Sequence, residues 1–419
     1  MSHGHDHTNE PLNFTAQRRR RIRITLMAIV IPFAIATVVG MALLWPTQGN
    51  PVGSLTPLAD GTTEGRAIVV STDSSQCATM DEPRRTSSTT NYGSYPSAVC
   101  ARVIEGIDEG SVIELHVPPE VYDSIREGTV VRALHTQPDP STAGMWSYWD
   151  VERSFPMLAL AVIYLVLVVI VARWRGAAAI AGLASSLAIL LFFVMPALMS
   201  QRPALLVTLV GVSAMMFSSV YFAHGISIRT TTALIGTFAG VFLTVFLALT
   251  NVTWAHLAGT SSEDAQLIFG YIPGIHLQSL LICGIVIAGL GALNDVTITQ
   301  ASAVWELHAA NPTMGKTALF TRAMRIGRDH IASTVYTLAF AYAGTALPAL
   351  LLALIVDRPA WDIVTSSSIA EEIVRTLIAS IGLIASIPLT TAIGTLLVTV
   401  TSEHHSQSAK GEIAPTHEK

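Results

Sequence analysis

Apolar residues along this chain gather into eight long runs, roughly 24–45, 156–173, 177–199, 203–223, 230–250, 273–293, 332–356 and 373–400. A bilayer core takes about 20 helical residues to cross, and every run has that order of length. Between the first two runs the pattern changes. Over 46–155, Gly, Pro, Ser and Thr interleave with short β-branched stretches at 67–70, 103–104, 112–115 and 130–131, separated by DEG and REG turns. Short apolar runs bounded by turn residues predict strands of a small barrel or sandwich. The pattern therefore predicts an all-α polytopic membrane protein of about eight transmembrane helices carrying a small extracytoplasmic β-rich domain.

Composition agrees with that class. A hydrophobic share of 51% with only 13% charged residues and a mean hydropathy of +0.52 exclude an ordinary soluble globule, whose charged share is about a quarter. The net charge of −5 says less than where the charges sit. With the N-terminus inside, the inner flanks hold Arg18, Arg19, Arg20, Arg21, Arg23, Arg173, Arg175, Arg229, Lys316, Arg322, Arg325 and Arg328, against only Arg202, Arg358 and Arg375 on the outer side. That bias follows the positive-inside rule and places both termini in the cytoplasm. The first run is too long for a signal-peptide h-region of about 7–15 residues and no A-x-A site follows it, so it reads as a retained anchor.

The expected organisation is a disordered cytoplasmic N-terminus (1–23), a first transmembrane helix (24–45), the extracytoplasmic domain (46–155), a seven-helix body (156–400) with a cytoplasmic segment at 294–331, and a disordered cytoplasmic tail (401–419). His3, His5, His7, His404 and His405 are either loose metal ligands or a solvated, histidine-rich pair of tails, and no metal site or cofactor is expected. Cys77 and Cys100 both fall in the outer domain, where an oxidising compartment allows a disulfide, and Cys283 reads as a small apolar residue of a span. The outer domain lacks the basic and aromatic surface of a nucleic-acid binder. GKT at 315–317 is no phosphate loop, because Ala310 stands where the first glycine belongs. No zincin spacing, nucleophile elbow or CxxC pair is present, so no enzyme is expected.

Candidate chemistry starts with the glycine-rich stretch 284–295, GIVIAGLGALND, which ends in Asn294 and Asp295. A carboxylate at the end of a span either binds a proton or cation during transport or caps the next helix. Thr297, Thr299 and Gln300 offer further oxygen atoms. Glu306 stands eleven positions on, close to three turns, and shares a face with Asp295 if the helix is continuous. Two short helices hinged at Asn311-Pro312 are expected in the inner segment. Arg325 and Asp329 are four apart and can pair, with Arg322 on the same stripe. Arg328 and Asp329 open the seventh span, and Glu371, Glu372 and Arg375 the eighth; each group is a gate or a helix-end device. Gly284, Gly289, Gly291, Gly344, Gly382 and Gly394 suit close helix packing. Pro348 and Pro388 are places where a helix can open, and Tyr342 adds a polar tip.

The runs GLGALNDVTITQASAVWEL (289–307), RIGRDHIASTVYTLAFAYAGTALPALLL (325–352) and EEIVRTLIASIGLIASIPLTTAIG (371–394) together resemble the YibE/F-like family of bacterial multi-pass membrane proteins over about residues 100–400. The resemblance implies a bacterial plasma-membrane protein and carries over Asp295, Glu306, Gly327, Arg328, Asp329, Tyr342, Gly344, Glu371 and Arg375 as family-like positions. The His-rich N-terminus and the Cys77/Cys100 segment are not part of that pattern. The function expected is a permease or secondary transporter of a small solute or ion, with Asp295, Glu306 and Asn294 binding a proton or cation, Arg328 and Asp329 as an inner gate and Glu371 with Arg375 as an outer one. The alternative is a non-transporting scaffold or sensor whose outer domain binds a cell-envelope protein. An intramembrane enzyme acting on lipid lacks a recognisable nucleophile or metal triad.

Overall fold

The structure, a computed structural model, describes residues 16–46, 61–78, 97–137, 144–272, 274–356 and 359–399. The five tail histidines, Arg358 and the tail 401–419 lie outside the described residues. The chain divides into two compact units, Gly53–Ile170 and the remainder.

The smaller unit is a five-stranded antiparallel sheet: β1 (Thr62–Ser71), β2 (Ala98–Glu105), β3 (Val112–His116), β4 (Val130–Thr136) and β5 (Met145–Val151), in the order β3-β2-β1-β4-β5. A short helix α2 (Pro119–Tyr122) joins β3 to β4, and the edge strands β3 and β5 approach each other. The result is a partly open five-stranded barrel of the OB type. Alternation makes it: Val131, Ala133 and His135 of β4 face inward while Arg132 between them faces out. Trp146 fills the interior at 1% exposure. Ion pairs Arg66–Glu105 at 3.0 Å, Arg153–Asp150 at 2.7 Å and Arg132–Glu64 lie on the exposed surface. Such pairs add little stability, although the Arg153 side chain and the Val151 N–H bonded to Asp150 hold its carboxyl below the ordinary range. The four expected strand stretches lie in β1 to β4; β5 was not anticipated.

Cys77 and Cys100 are joined as a disulfide, with Cα atoms 5.4 Å apart and 23 positions between them in sequence. A loop of that size constrains the unfolded chain by about 3 kcal/mol in the chain-entropy model. Reduction is therefore expected to lower the melting temperature of the barrel, and a Cys77→Ser, Cys100→Ser variant is expected to melt at the reduced value whether or not reductant is present.

The larger unit is helical. Among the described residues, six helices are long and apolar enough to cross a membrane: 22–44 within α1 (Ala16–Leu44), the stretch Ser154–Met199, α5 (Ala204–His224), α6 (Ile228–Trp254), α8 (Leu277–Ala310) and 367–398 within α12 (Ser367–Thr399). A seventh is counted if α9 (Lys316–Thr345) and α10 (Leu347–Ile355), bent by 60°, form one span. Within the stretch Ser154–Met199, α3 (Ser154–Ile189) passes through a π turn at Leu190–Val194 into α4 (Met195–Met199); α7 (Glu263–Tyr271) and α11 (Ala360–Val364) are short.

Two boundaries differ from the sequence reading. Helix α1 begins at Ala16, so residues 16–23 are helical rather than part of a disordered terminus. The expected boundary between 156–173 and 177–199, by contrast, coincides with a kink at Arg173, whose φ of 54° and ψ of −135° are non-helical, within the stretch Ser154–Met199. Helix α8 runs unbroken past the expected stop at 293 to Ala310, because Val296, Thr297, Gln300, Ala301, Val304 and Trp305 continue its buried face. The segment 294–331, expected to be cytoplasmic, is therefore not a loop of two short helices. Its single break lies at 311–315, by the expected Asn311-Pro312 hinge, after which α9 runs from Lys316.

Helices α6, α8 and α12 make the centre, with α1, α5 and α9 packed around them. Leu234, Val241, Leu290, Leu293, Leu383 and Ile387 form its apolar heart. Buried hydroxyls and one amide run through it. Thr237 and Thr297 share a hydrogen bond at 2.6 Å, and Gln300 donates to the Ala323 carbonyl at 3.0 Å and to Thr391 at 2.7 Å, joining α8, α9 and α12. In an apolar medium such bonds hold helices where hydrophobic burial gives no drive.

Candidate functional site

Because α8 is continuous, Asn294 and Asp295 sit in its interior. Asp295 lies about 16 Å from Glu306 along a helix that rises about 1.5 Å per residue. The helix-cap reading of Asp295 is thereby overturned: no helix starts there. Eleven residues at about 100° each bring Glu306 back to nearly the same face.

Asp295 opens on a cavity of about 430 Å³ between α3, α5 and α8. Most of its wall is apolar, including Leu183, Leu187, Met215 and Leu290; Ser186, Ser219, His224, Asn294 and Asp295 are its polar positions. Asn294 donates through Nδ2 to Ser219 Oγ at 3.3 Å, while its Oδ1, buried, accepts nothing. The Asp295 side chain is 73% exposed, and His330 Nε2 of α9 approaches it to 3.8 Å, too far for a hydrogen bond. That His330 nitrogen also lacks a hydrogen-bond partner. The site thus gathers an exposed carboxylate, a buried amide oxygen without a hydrogen-bond partner and an imidazole from α9 beside a membrane-length helix. An ionisable group in that position marks a pathway more often than a structural pair.

The other expected residues go elsewhere. Glu306 is exposed and pairs with Arg229 at 3.2 Å, tying α8 to the start of α6. Thr297 and Gln300 are consumed by the interhelical bonds described above, so they are not ligands beside Asp295. Arg322, Arg325, Arg328 and Asp329 are exposed on α9, and no ion pair joins Arg325 to Asp329 among the described residues. It is their neighbour His330 that reaches Asp295. Gly327, by contrast, is buried, and a Cβ there would meet Ile387 at 2.6 Å and Gln300 Oε1 at 2.9 Å.

At the opposite end of the bundle the expected Glu371–Arg375 gate is not formed. Glu371, 5% exposed, accepts from the Gly259 N–H at 3.1 Å and from the Ser261 hydroxyl, pinning the loop between α6 and α7 onto α12. Arg375 pairs instead with Glu372, three residues before it, at 2.9 Å, and half-buried Tyr342 lies within electrostatic reach of both. Helix geometry explains the exchange, since residues three apart share a face and residues four apart are here drawn to different neighbours. Glu371→Ala is expected to free the loop, seen as faster proteolytic nicking between 255 and 262 with the rest of the chain intact.

The profile of the YibE/F-like protein family matches residues 160–400, more than half of the chain. The chain belongs to the YibE/F-like family. The matched segment contains Asp295, His330, Glu371 and every wall of the cavity, whereas the barrel lies outside it, so the resemblance over 100–159 does not extend to the profile. Among curated proteins and solved structures nothing matches. Sequence reasoning missed Ser186, Ser219 and His224 as site residues, and read His330 only as part of the stretch Gly327-Arg328-Asp329-His330. His330 carried a signal, as the neighbour of the marked Arg328-Asp329 pair; the others are ordinary residues of apolar spans.

Proposed function

We propose that this YibE/F-like protein is a permease or secondary transporter of a small solute or ion in the bacterial plasma membrane, with Asp295 as its proton- or cation-binding carboxylate. The observation that carries the reading is the carboxylate without a hydrogen bond, facing a cavity in the interior of α8. Asn294 assists it, and Glu306 with Arg229 holds the helix ends beside the pathway. Arg328 and Asp329, exposed on the same helix as His330, guard the inner mouth, and the Glu372–Arg375 pair with Tyr342 occupies the outer one.

In this reading the stretch Ser154–Met199 crosses twice. Its 46 residues would extend for about twice the hydrocarbon thickness if straight, and the break at Arg173 is where it turns. With the bent pair α9–α10 as one span, eight spans result, both termini lie inside and the barrel lies outside, consistent with the distribution of Lys and Arg. No enzymatic step is assigned.

A second reading, a scaffold or sensor whose barrel binds an envelope protein, is favoured by one observation: the barrel belongs to a compact unit, Gly53–Ile170, separate from the rest of the chain. The test is flux of ions, metals and metabolites, with proton movement, through purified protein in sealed liposomes. A saturable wild-type signal supports transport. Silence across a broad screen with folded, oriented protein rejects it in favour of the scaffold.

A further inference from the structure

We propose that the barrel docks on the surface of the bilayer beside the helix it carries, with the indole of Trp149 seated among zwitterionic lipid headgroups. This surface shares no residue with the Asp295 cavity, and the inference holds for a transporter and for a scaffold alike.

The junction between β5 and α3 decides that the barrel meets lipid. Strand pairing runs on past β5, the Glu152 N–H donating to the Val130 carbonyl at 2.9 Å, and helical bonding begins one residue later, the Met157 N–H donating to the Arg153 carbonyl at 3.1 Å. No slack is left between strand and helix. Glu152 also caps α3, accepting from the Ser154 N–H at 3.0 Å and from its hydroxyl, and Arg153 reaches back to Asp150 at 2.7 Å. From Ser154 to Arg175 no residue is buried, and Phe155 is 82% exposed. An apolar helix left bare by its own chain has lipid as its solvent. The headgroup layer is roughly 5–8 Å deep on each side of the hydrocarbon, and two extended residues cover about 7 Å. The near end of the barrel therefore starts at the headgroups.

Trp149 is the group suited to that level. The pairing of β4 with β5 passes from Arg132↔Asp150 to Ala133↔Tyr148, so Trp149 is the extra residue of a bulge, a device that re-aims a side chain. It is 49% exposed and at most about 17 Å along the chain from Ser154. A lone exposed tryptophan on a soluble surface needs no explanation. One placed here offers an apolar ring to the lipid and an N–H to the water, which is why indoles gather at membrane interfaces. Charge does not supply the attraction. Arg66 and Arg132 lie within electrostatic reach of Glu152, and with Arg153 they pair with Glu105, Glu64 and Asp150. Three guanidiniums thus stand against four carboxylates, Glu152 included, which is no basic patch for anionic lipid.

The test places a nitroxide on Trp149→Cys in the full-length protein in phosphatidylcholine nanodiscs. The reference is Thr63→Cys, exposed and paired with His135 at the end of β1 remote from Val130 and the junction. The chain's own thiols take no label, two being joined in the disulfide and Cys283 buried. Trp149 is not among the residues that form or line the barrel interior, so its variants are expected to fold. Collisions with a water-soluble nickel chelate are expected to be at least about fivefold fewer at position 149 than at position 63, and collisions with oxygen more frequent. Equal access of the chelate to both positions overturns the proposal. A second measurement needs no cysteine: the emission lost in Trp149→Phe is expected to be blue-shifted and quenched by brominated phosphatidylcholine, and an unquenched, water-like difference spectrum overturns the proposal as well. Replacing part of the lipid by phosphatidylglycerol is expected to leave the chelate ratio unchanged; a several-fold rise assigns the contact to charge and overturns the role of the indole. A label open to the chelate in nanodiscs but shielded in native membranes assigns this face to a protein and overturns docking on lipid.

Discussion

Gly382→Val is expected to abolish recovery of folded protein. Gly382 faces α6 where α6 and α12 come closest, and a Cβ there would stand 2.1 Å from Thr244 Oγ1 and 3.7 Å from the Gly240 carbonyl. Thr244 cannot simply turn aside, because its hydroxyl donates to that carbonyl at 2.9 Å and the residue is fully buried. Gly240 in turn lies against Leu293, with 2.8 Å available to a Cβ, and Ser386, with 3.1 Å. The three central helices therefore meet at one crowded point, and overpacking there costs about 3 kcal/mol or more, against a total stability of about 5–15 kcal/mol. Gly284→Val is the contrast: a Cβ at Gly284 meets nothing within 4 Å, and its elution profile and melting temperature are expected to match wild type. A Gly382→Val protein that elutes and melts like wild type would refute the close approach.

Asp295→Asn is expected to fold normally and to lose about 10- to 100-fold of any coupled flux, the range given by hydrogen bonds to a charged group of about 1.5–3 kcal/mol. Normal folding follows from the geometry, since the carboxylate accepts no hydrogen bond and is 73% exposed, so no internal contact is broken. The loss follows because an amide keeps the shape and removes the charge. Glu306→Gln is the control. Its ion pair with Arg229 is exposed and of the kind worth about 0–1 kcal/mol, so flux is expected to stay within about a factor of five. Equal losses in both variants would move the function away from Asp295.

The class and the family were readable because they are written in long apolar runs and in the order of residues within them. Strands β1 to β4 showed in β-branched stretches between turns; β5, Met-Trp-Ser-Tyr-Trp-Asp-Val, hides its strand character in aromatic residues, which pack as well on a pleated surface. The misplaced end of α8 came from treating Asn and Asp as a stop. Neither breaks a helix when the face around it stays buried, as Val296, Gln300 and Val304 keep it. Packing glycines could not be told from others by spacing: Gly382 and Gly394 meet a facing helix closely, Gly289 makes ordinary contact, and Gly284, Gly291 and Gly344 meet nothing. Pro348 falls in the first turn of α10 beside the 60° bend, whereas Pro388 lies inside a continuous α12. The partners of Asn294 and Asp295 were illegible for a different reason. His330 and Ser219 come from other helices, and interhelical register is set by packing contacts that no local pattern records.

The central claim is that Asp295 lines a water-accessible route rather than a lipid-facing crevice. Gly291→Cys tests it directly: the position lines the same cavity with open space around it, and the chain's own thiols are silent, two joined in the disulfide and Cys283 buried. In sealed, oriented vesicles a membrane-impermeant thiol reagent is expected to label Gly291→Cys from the cytoplasmic face. No labelling from either face, while a membrane-permeant reagent reacts readily, would contradict the account.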